Sequence, residues 1–240
     1  MNQPLISVIT VVYNNKKGIG TTINSVLKQS YPAVEYIIID GGSTDGTVEI
    51  IGAYQSGISK FISAPDQGIY DAMNKGIKLA TGILVGIINS GDYLEEGALD
   101  QVAKAYAAEP AADVYHGILR VFSESGKFMQ VTGNDSSFLS TGMIEHPTCF
   151  VKKSAYEAFG YFNLLYKSSS DYDFMLNLWQ QKARFYFIES ILANFYMGGM
   201  SSQQAAVLET IQIRYRHGLI SSLKKSFLTG LTKLRFAKKR

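Results

Sequence analysis

Short apolar runs rich in β-branched residues alternate with stretches of helical period along the first hundred residues of the chain. Residues 6–12, 34–39, 60–63 and 83–88 read as strands. Between them Ile19, Ile23, Val26 and Leu27, and then Ile69, Met73, Ile77 and Ala80, fall on single helical faces. This alternation predicts a doubly wound α/β fold built on a parallel sheet. A polar turn follows each strand: Tyr13-Asn14, Asp40-Gly41-Gly42, Asp66-Gln67-Gly68 and Asn89-Ser90-Gly91-Asp92. In an open parallel sheet those strand ends form one crevice, and free helix N–H groups beside it favour anions, so a phosphate-bearing ligand is expected there. Such turns also serve simply to reverse the chain. Three acidic turns in succession favour a site.

Beyond Leu94 the pattern changes to mixed α+β. A helix is expected near 97–108, strands around 113–121 and 127–131 joined by the Glu124-Ser125-Gly126 turn, and another strand near 146–151. A helix over 170–182 would turn Phe174, Leu178 and Trp179 inward, and 184–196 reads as an interrupted strand. The 240 residues, 46% of them apolar, suffice for one domain of ordinary size and exclude wholesale disorder. The apolar run at 83–88 is far shorter than the roughly 18 residues of a membrane span. Met1-Asn2-Gln3-Pro4 leads directly into a strand without a signal-peptide pattern, so the expectation is a cytoplasmic protein. A single cysteine, Cys149, builds neither a disulfide nor a thiolate cluster.

Charge divides the chain. Nine of the 23 basic residues lie in 214–240, where no acid occurs, and the other 14 share residues 1–213 with all 20 acids, about −6 against +9. In the tail Leu223, Phe227, Leu231 and Leu234 recur at helical spacing among lysines and arginines, a basic amphipathic pattern. It suits an anionic bilayer surface, or packing on the domain with its charges solvated. An acidic body without an aromatic platform beside the basic tail argues against nucleic acid.

Individual side chains suggest chemistry. Asp40 at a strand end could accept hydrogen bonds from a nucleobase or ribose. In Gly18-Ile19-Gly20-Thr21-Thr22-Ile23, however, isoleucine stands where a dinucleotide fingerprint needs its third glycine. Asp92 offers a hard oxygen to Mg2+ or Mn2+, or else caps the next element. Asp171 and Asp173 flank Tyr172 at a helix start, where acids are commonly caps. His146 could be structural or a substrate contact.

Taken together, the motifs resemble family 2 glycosyltransferases over roughly residues 4–200. The ordered series is 7–15, Ser25-Val26-Leu27-Lys28-Gln29-Ser30-Tyr31-Pro32, Ile39-Asp40-Gly41-Gly42-Ser43-Thr44-Asp45-Gly46-Thr47, the Asp66 to Gly76 segment and Asn89-Ser90-Gly91-Asp92. The last two look most like the subgroup that includes colanic acid and other surface-polysaccharide transferases. The resemblance implies a GT-A fold: a Rossmann-like, mostly parallel sheet flanked by helices, with a nucleotide-binding half (about 1–110), a mixed α+β acceptor half (about 111–213) and a helical tail (214–240).

It implies a UDP- or GDP-type sugar donor, a glycan or lipid-linked acceptor, and inversion at the anomeric carbon. Tyr13 would stack near the base and Asp40 would contact base or ribose, with Val11, Asp66, Asn74, Ser90 and Gly91 completing the donor set. Asp92 would hold Mn2+ or Mg2+, and Asp171 would be the base. His146 and Asp173 would lie on the acceptor side, and Gly198-Gly199-Met200-Ser201 would form a flexible loop near the site. The tail would bring the protein to the cytoplasmic face of the inner membrane, and a homodimer stays open. Met73 and Asn177 stand where many relatives carry arginine, leaving Lys75 or helix amides to meet the phosphates. A non-catalytic nucleotide-sugar-binding subunit is the alternative. A nucleotidyltransferase is disfavoured because no Gly/Arg-rich loop lies between Tyr13 and Gly20.

Overall fold

The computed structural model describes residues 3–197 and 204–237. The first half follows the sequence pattern: β1 (Ile6–Val12), α1 (Ile19–Leu27), β2 (Val34–Asp40), α2 (Thr47–Gly52), β3 (Lys60–Ser63), α3 (Ile69–Leu79) and β4 (Leu84–Ile87). Parallel pairing of β1 with both β2 and β4, and of β2 with β3, places four consecutive strand ends on one side. Every residue of β1 is buried, as expected of a strand covered on both faces. Its period of two divides it between two cores: Ile9 and Val11 face one with Ile37, Ile39 and Met73, while Ile6, Val8 and Val12 face the other with Ile19, Ile23 and Ile38.

Where the first strands enter the sheet, a buried acid fastens three segments. Glu35 accepts hydrogen bonds from Ser7 Oγ (2.6 Å), Thr81 N (2.7 Å) and Lys60 Nζ (2.6 Å). Burial raises its carboxyl, but these donors together outweigh burial and hold it at about 2.

The second half comprises β5 (Tyr93–Leu94), α4 (Ala98–Ala108), β6 (Val114–Phe122), β7 (Phe128–Thr132), β8 (Phe150–Lys152), α5 (Lys153–Phe159), α6 (Ser170–Gln180), β9 (Phe185–Tyr196), α7 (Gln204–Arg216) and α8 (Ser222–Ala237). It continues the same sheet. The order is β3-β2-β1-β4-β8-β6-β9-β5, with β7 paired to β6. The three-residue β8, antiparallel to both β4 and β6, joins the halves. Short α2, α5 and β5 are too brief to leave a periodic signal. Helix α6 stops at Gln180, and Lys182 turns the chain with φ 63°. The irregular 184–196 region is one twelve-residue strand whose register against β6 shifts around Ile118.

The C-terminal division falls differently from the charge pattern. Position 213 lies inside α7, whose Ile211 and Ile213 are buried, so α7 belongs to the body and the tail proper is α8. On α8 the apolar stripe is uncovered, Leu223 being 86% and Phe227 65% exposed. No helix of the described residues is long and apolar enough to cross a membrane.

Candidate active site

The loops after β1, β2 and β4 are tied together before any ligand is considered. Asn14, held at φ 48°, donates its backbone N–H to Ser43 Oγ (2.7 Å) and accepts from Thr44 N at Oδ1 (2.8 Å). Asn is among the few residues that adopt this left-handed conformation readily. Asn15 Nδ2 donates to Ser90 O (2.9 Å) and Ser90 Oγ (3.1 Å), joining the first turn to the fourth. Around these turns lie a cleft of ≈ 820 Å³ and a recess of ≈ 360 Å³ that share Tyr13, Asn15, Ile69, Asn89 and Ser90.

The recess receives Val11, Tyr13, Asp66 and Ser90. A Cβ on Gly41 would stand 2.6 Å from Asp66 Oδ2, so glycine at 41 leaves Asp66 the space it occupies. Asp66 Oδ1 accepts from Gly68 N at 2.8 Å. Asp40 lies underneath. Fully buried, it accepts from Gly42 N (3.1 Å), Ser43 N (3.0 Å), Ser63 Oγ (2.6 Å) and Ser43 Oγ, and it lines neither space. In this structure Asp40 braces the loop from beneath. Asn74 also differs from the sequence expectation: its amide donates to Phe162 O (2.8 Å) and accepts from Phe162 N (3.0 Å), clasping the segment between α5 and α6 to α3. Both amide atoms are thereby engaged away from the recess.

Asp92 and Asp171 line the same cleft, with Gly91, Ser90 and His146. Gly91, at φ 106°, permits the turn that presents Asp92, and Thr22 Oγ1 braces it by accepting from Gly91 N (2.9 Å) and donating to Asp92 O (2.6 Å). Asp92 Oδ1 accepts from Tyr196 N (3.2 Å). Burial pushes its carboxyl up to about 7 against that bond. A neighbouring dication would reverse the balance by favouring the carboxylate.

The donor set suits such an ion. Buried Asn89 Oδ1 has no hydrogen-bond partner among the described residues, and with Asp92 it makes two hard oxygens on one turn. Among the described residues no three His, Cys, Asp or Glu side chains are grouped so that they could hold a metal ion between them. Diphosphate oxygens and water would therefore complete the shell, as they commonly do for Mg2+.

Asp171 sits in the first turn of α6, and its Oδ1 accepts from Tyr70 Oη at 2.8 Å. Burial, reinforced by the adjacent Asp171 charge, raises the Tyr70 phenol, which therefore stays protonated and donating. Burial lowers His146, with Asp171 pulling the other way, so its ring is neutral at pH 7. Asp173, two residues along α6, projects elsewhere: Oδ1 meets His217 Nε2 at 2.8 Å, and Asp173 lines no part of the cleft. Its acceptor-side assignment does not match this placement. Lys75 is paired with Asp71 (2.9 Å), and Met73 in the cleft is apolar. Residues 198–201 lie outside the described residues.

Sequence reasoning passed over Asn15, Tyr70, Asn89 and Glu145. Asn15, Tyr70 and Asn89 lie in motifs already noted, whereas Glu145 carried no local signal. Glu145 lines the cleft while accepting from Thr132 Oγ1 (2.8 Å) and Asn134 Nδ2 (2.6 Å). Among the described residues the cleft is lined by three acids, Asp92, Glu145 and Asp171, and by no Lys or Arg.

The sequence profile of glycosyl transferase family 2 matches residues 7–173, which spans β1 through Asp171. The chain belongs to that family. This glycosyltransferase is 26% identical over 187 residues to a PGL/p-HBAD biosynthesis glycosyltransferase of Mycobacterium bovis, covering 76% of this chain and 73% of that one. It is 27% identical over 202 residues to chondroitin synthase of Pasteurella multocida, covering 82% of this chain and 21% of that one. Among solved structures, S. aureus TarS 1-349 in complex with UDP-GlcNAc superposes with TM-score 0.71 at 21% identity, covering 93% of this chain and 70% of that one. The mannosyltransferase PcManGT of Pyrobaculum calidifontis, in complex with GDP-Man and Mn2+, gives 0.68 at 17% identity, covering 90% and 63%. These likenesses establish the GT-A fold of the glycosyltransferase.

Proposed function

We propose that the glycosyltransferase is an inverting, divalent-metal-dependent enzyme moving a sugar from a UDP- or GDP-sugar to a hydroxyl of a glycan or lipid-linked acceptor in polysaccharide or glycolipid assembly. One observation carries the reading: Asp92 and Asp171 share a cleft that, among the described residues, is lined by three acids and by no Lys or Arg. A diphosphate entering such a cleft needs a counter-ion, and Asn89 Oδ1 with Asp92 would hold Mg2+ or Mn2+. When bound, that ion supplies charge neutralisation for a departing diphosphate. The UDP-GlcNAc of TarS and the GDP-Man and Mn2+ of PcManGT support donor class and metal alike.

Val11, Tyr13, Asp66 and Ser90 then cradle the nucleoside, with the exposed Tyr13 ring available to stack on the base. Asp171 accepts the proton of the attacking hydroxyl as its oxygen bonds to the anomeric carbon, and the bond from that carbon to the diphosphate breaks on the opposite face. Tyr70 orients the carboxylate through Oδ1. Neutral His146 takes a polar position beside the acceptor. The exposed stripe of α8, flanked by Lys224, Lys225, Lys233 and Arg235, docks on an anionic bilayer and brings the enzyme to a lipid-linked acceptor at the cytoplasmic face of the membrane.

A thermal-shift panel of UDP, GDP and their sugars, with and without Mn2+, identifies the donor. With that donor, D171N lowers transfer and hydrolysis by about 100-fold or more while leaving nucleotide binding intact. Wild-type turnover by folded D171N would overturn the reading.

A further inference from the structure

The proposed base lies near the end of the family match, yet the loop that delivers it is held by a helix beyond that match. Residues 167–169 lead into α6 two positions ahead of Asp171, and Ser168 and Ser169 themselves line the cleft. Glu209, half-buried on α7, accepts from Lys167 N at Oε1 and from Ser168 N at Oε2, each at 2.8 Å. Ser169 makes no side-chain cap on its own helix, and its hydroxyl donates instead to Ala206 O (3.2 Å) on α7. Ala206, Val207 and Thr210 of the same helix form one wall of the cleft. Farther along α7, Arg216 Nη1 donates to Tyr166 Oη (3.0 Å), and His217, just past the helix end, meets Asp173.

We infer that Glu209 is a positioning residue for the reaction: its two-pronged grip on the 167–168 backbone sets the entry of α6 and so aims Asp171 at the acceptor hydroxyl. This rests on the reading of Asp171 as the base. A carboxylate accepting two backbone N–H groups is a charge-assisted clamp of defined geometry. Glu209 itself lines neither the recess nor the cleft, so its loss falls on alignment and not on nucleotide affinity.

The test compares E209A and E209Q, the second keeping shape and one acceptor, with wild type. In both, amide hydrogen exchange at Lys167 or Ser168 rises at least about tenfold while the rest of α6 keeps its protection. With the donor that the panel identifies, kcat for nucleoside diphosphate release falls about 10- to 100-fold in E209A, the scale of an ångström-level misplacement. The Kd for that nucleoside diphosphate stays within about twofold, the split expected when only the reacting geometry is lost. In a D171N background, adding E209A costs nothing further, because the group it aims is already gone. Unchanged exchange at both amides would overturn the clamp. Wild-type kcat in E209A with D171N inactive, or fully additive losses, would overturn the positioning role while leaving the function standing. Full activity in D171N would instead sink the reading of the base.

Discussion

Replacing Asn74 with alanine separates two roles that the residue could have. In the structure Asn74 is buried, and its amide makes a two-way bond with the backbone of Phe162, itself almost inaccessible. N74A strands the Phe162 N–H and C=O together. At about 1–3 kcal/mol for each of the two buried groups left unpaired, the loss comes to roughly 2–6 kcal/mol, with water entry the only relief. For a chain of this size each kcal/mol lowers Tm by about 2–4 °C, so a fall of roughly 4–24 °C is expected. Urea unfolding should show a lower midpoint at unchanged m-value. N74D does no better near neutral pH, since an ionised carboxylate accepts from Phe162 N but faces Phe162 O without a proton to donate. The Kd for UDP or GDP with Mn2+ should stay within about twofold of wild type, measured below the lowered Tm. A stability loss under about 1 kcal/mol refutes the clasp. Weakened nucleotide binding at unchanged stability would return Asn74 to the donor site.

Glu35 should make the fold acid-sensitive in a defined window. With its folded pKa held at about 2 against the ordinary 4.5, its stabilisation is complete above about pH 4.5 and drains away as pH falls toward 2. Because Lys60 is 35% exposed, we discount the contribution to about 1–2 kcal/mol. E35Q should flatten the stability–pH curve there by that amount, and an unchanged slope contradicts the assignment. D92N should weaken Mn2+-dependent nucleoside diphosphate binding by at least the roughly 10- to 100-fold typical of outer-shell substitutions, leaving metal-free binding alone. Equal metal dependence in D92N and wild type rules out Asp92 as a ligand. Replacing Leu223 and Phe227 with aspartate should reduce sedimentation with vesicles containing phosphatidylserine without changing donor hydrolysis, and undiminished sedimentation refutes docking through α8.

By itself the sequence determined the layers of the first half of the chain. Ile6 to Val12, Val34 to Ile39 and the faces through Ile19 and Ile69 are legible because alternation at two and at 3.6 residues reports which side of an element must leave water. The polar turns were legible for the same local reason, and the family motifs then attached a chemistry to them. Tertiary structure decided which acids face the cleft. Asp40 ends β2 and Asp66 lies in the turn after β3, yet one is enclosed by Ser43 and Ser63 while the other borders the recess. Asp171 and Asp173 differ by two residues, but one meets Tyr70, 101 positions away, and the other His217, 44 positions away. Asn74 finds Phe162 across 88 positions, and α7 closes on a loop that precedes it by some forty. Periodicity records only whether a position is turned toward the interior. A hydrogen-bond partner is chosen by where distant segments are brought together by the packing of both cores, and no local pattern carries that information.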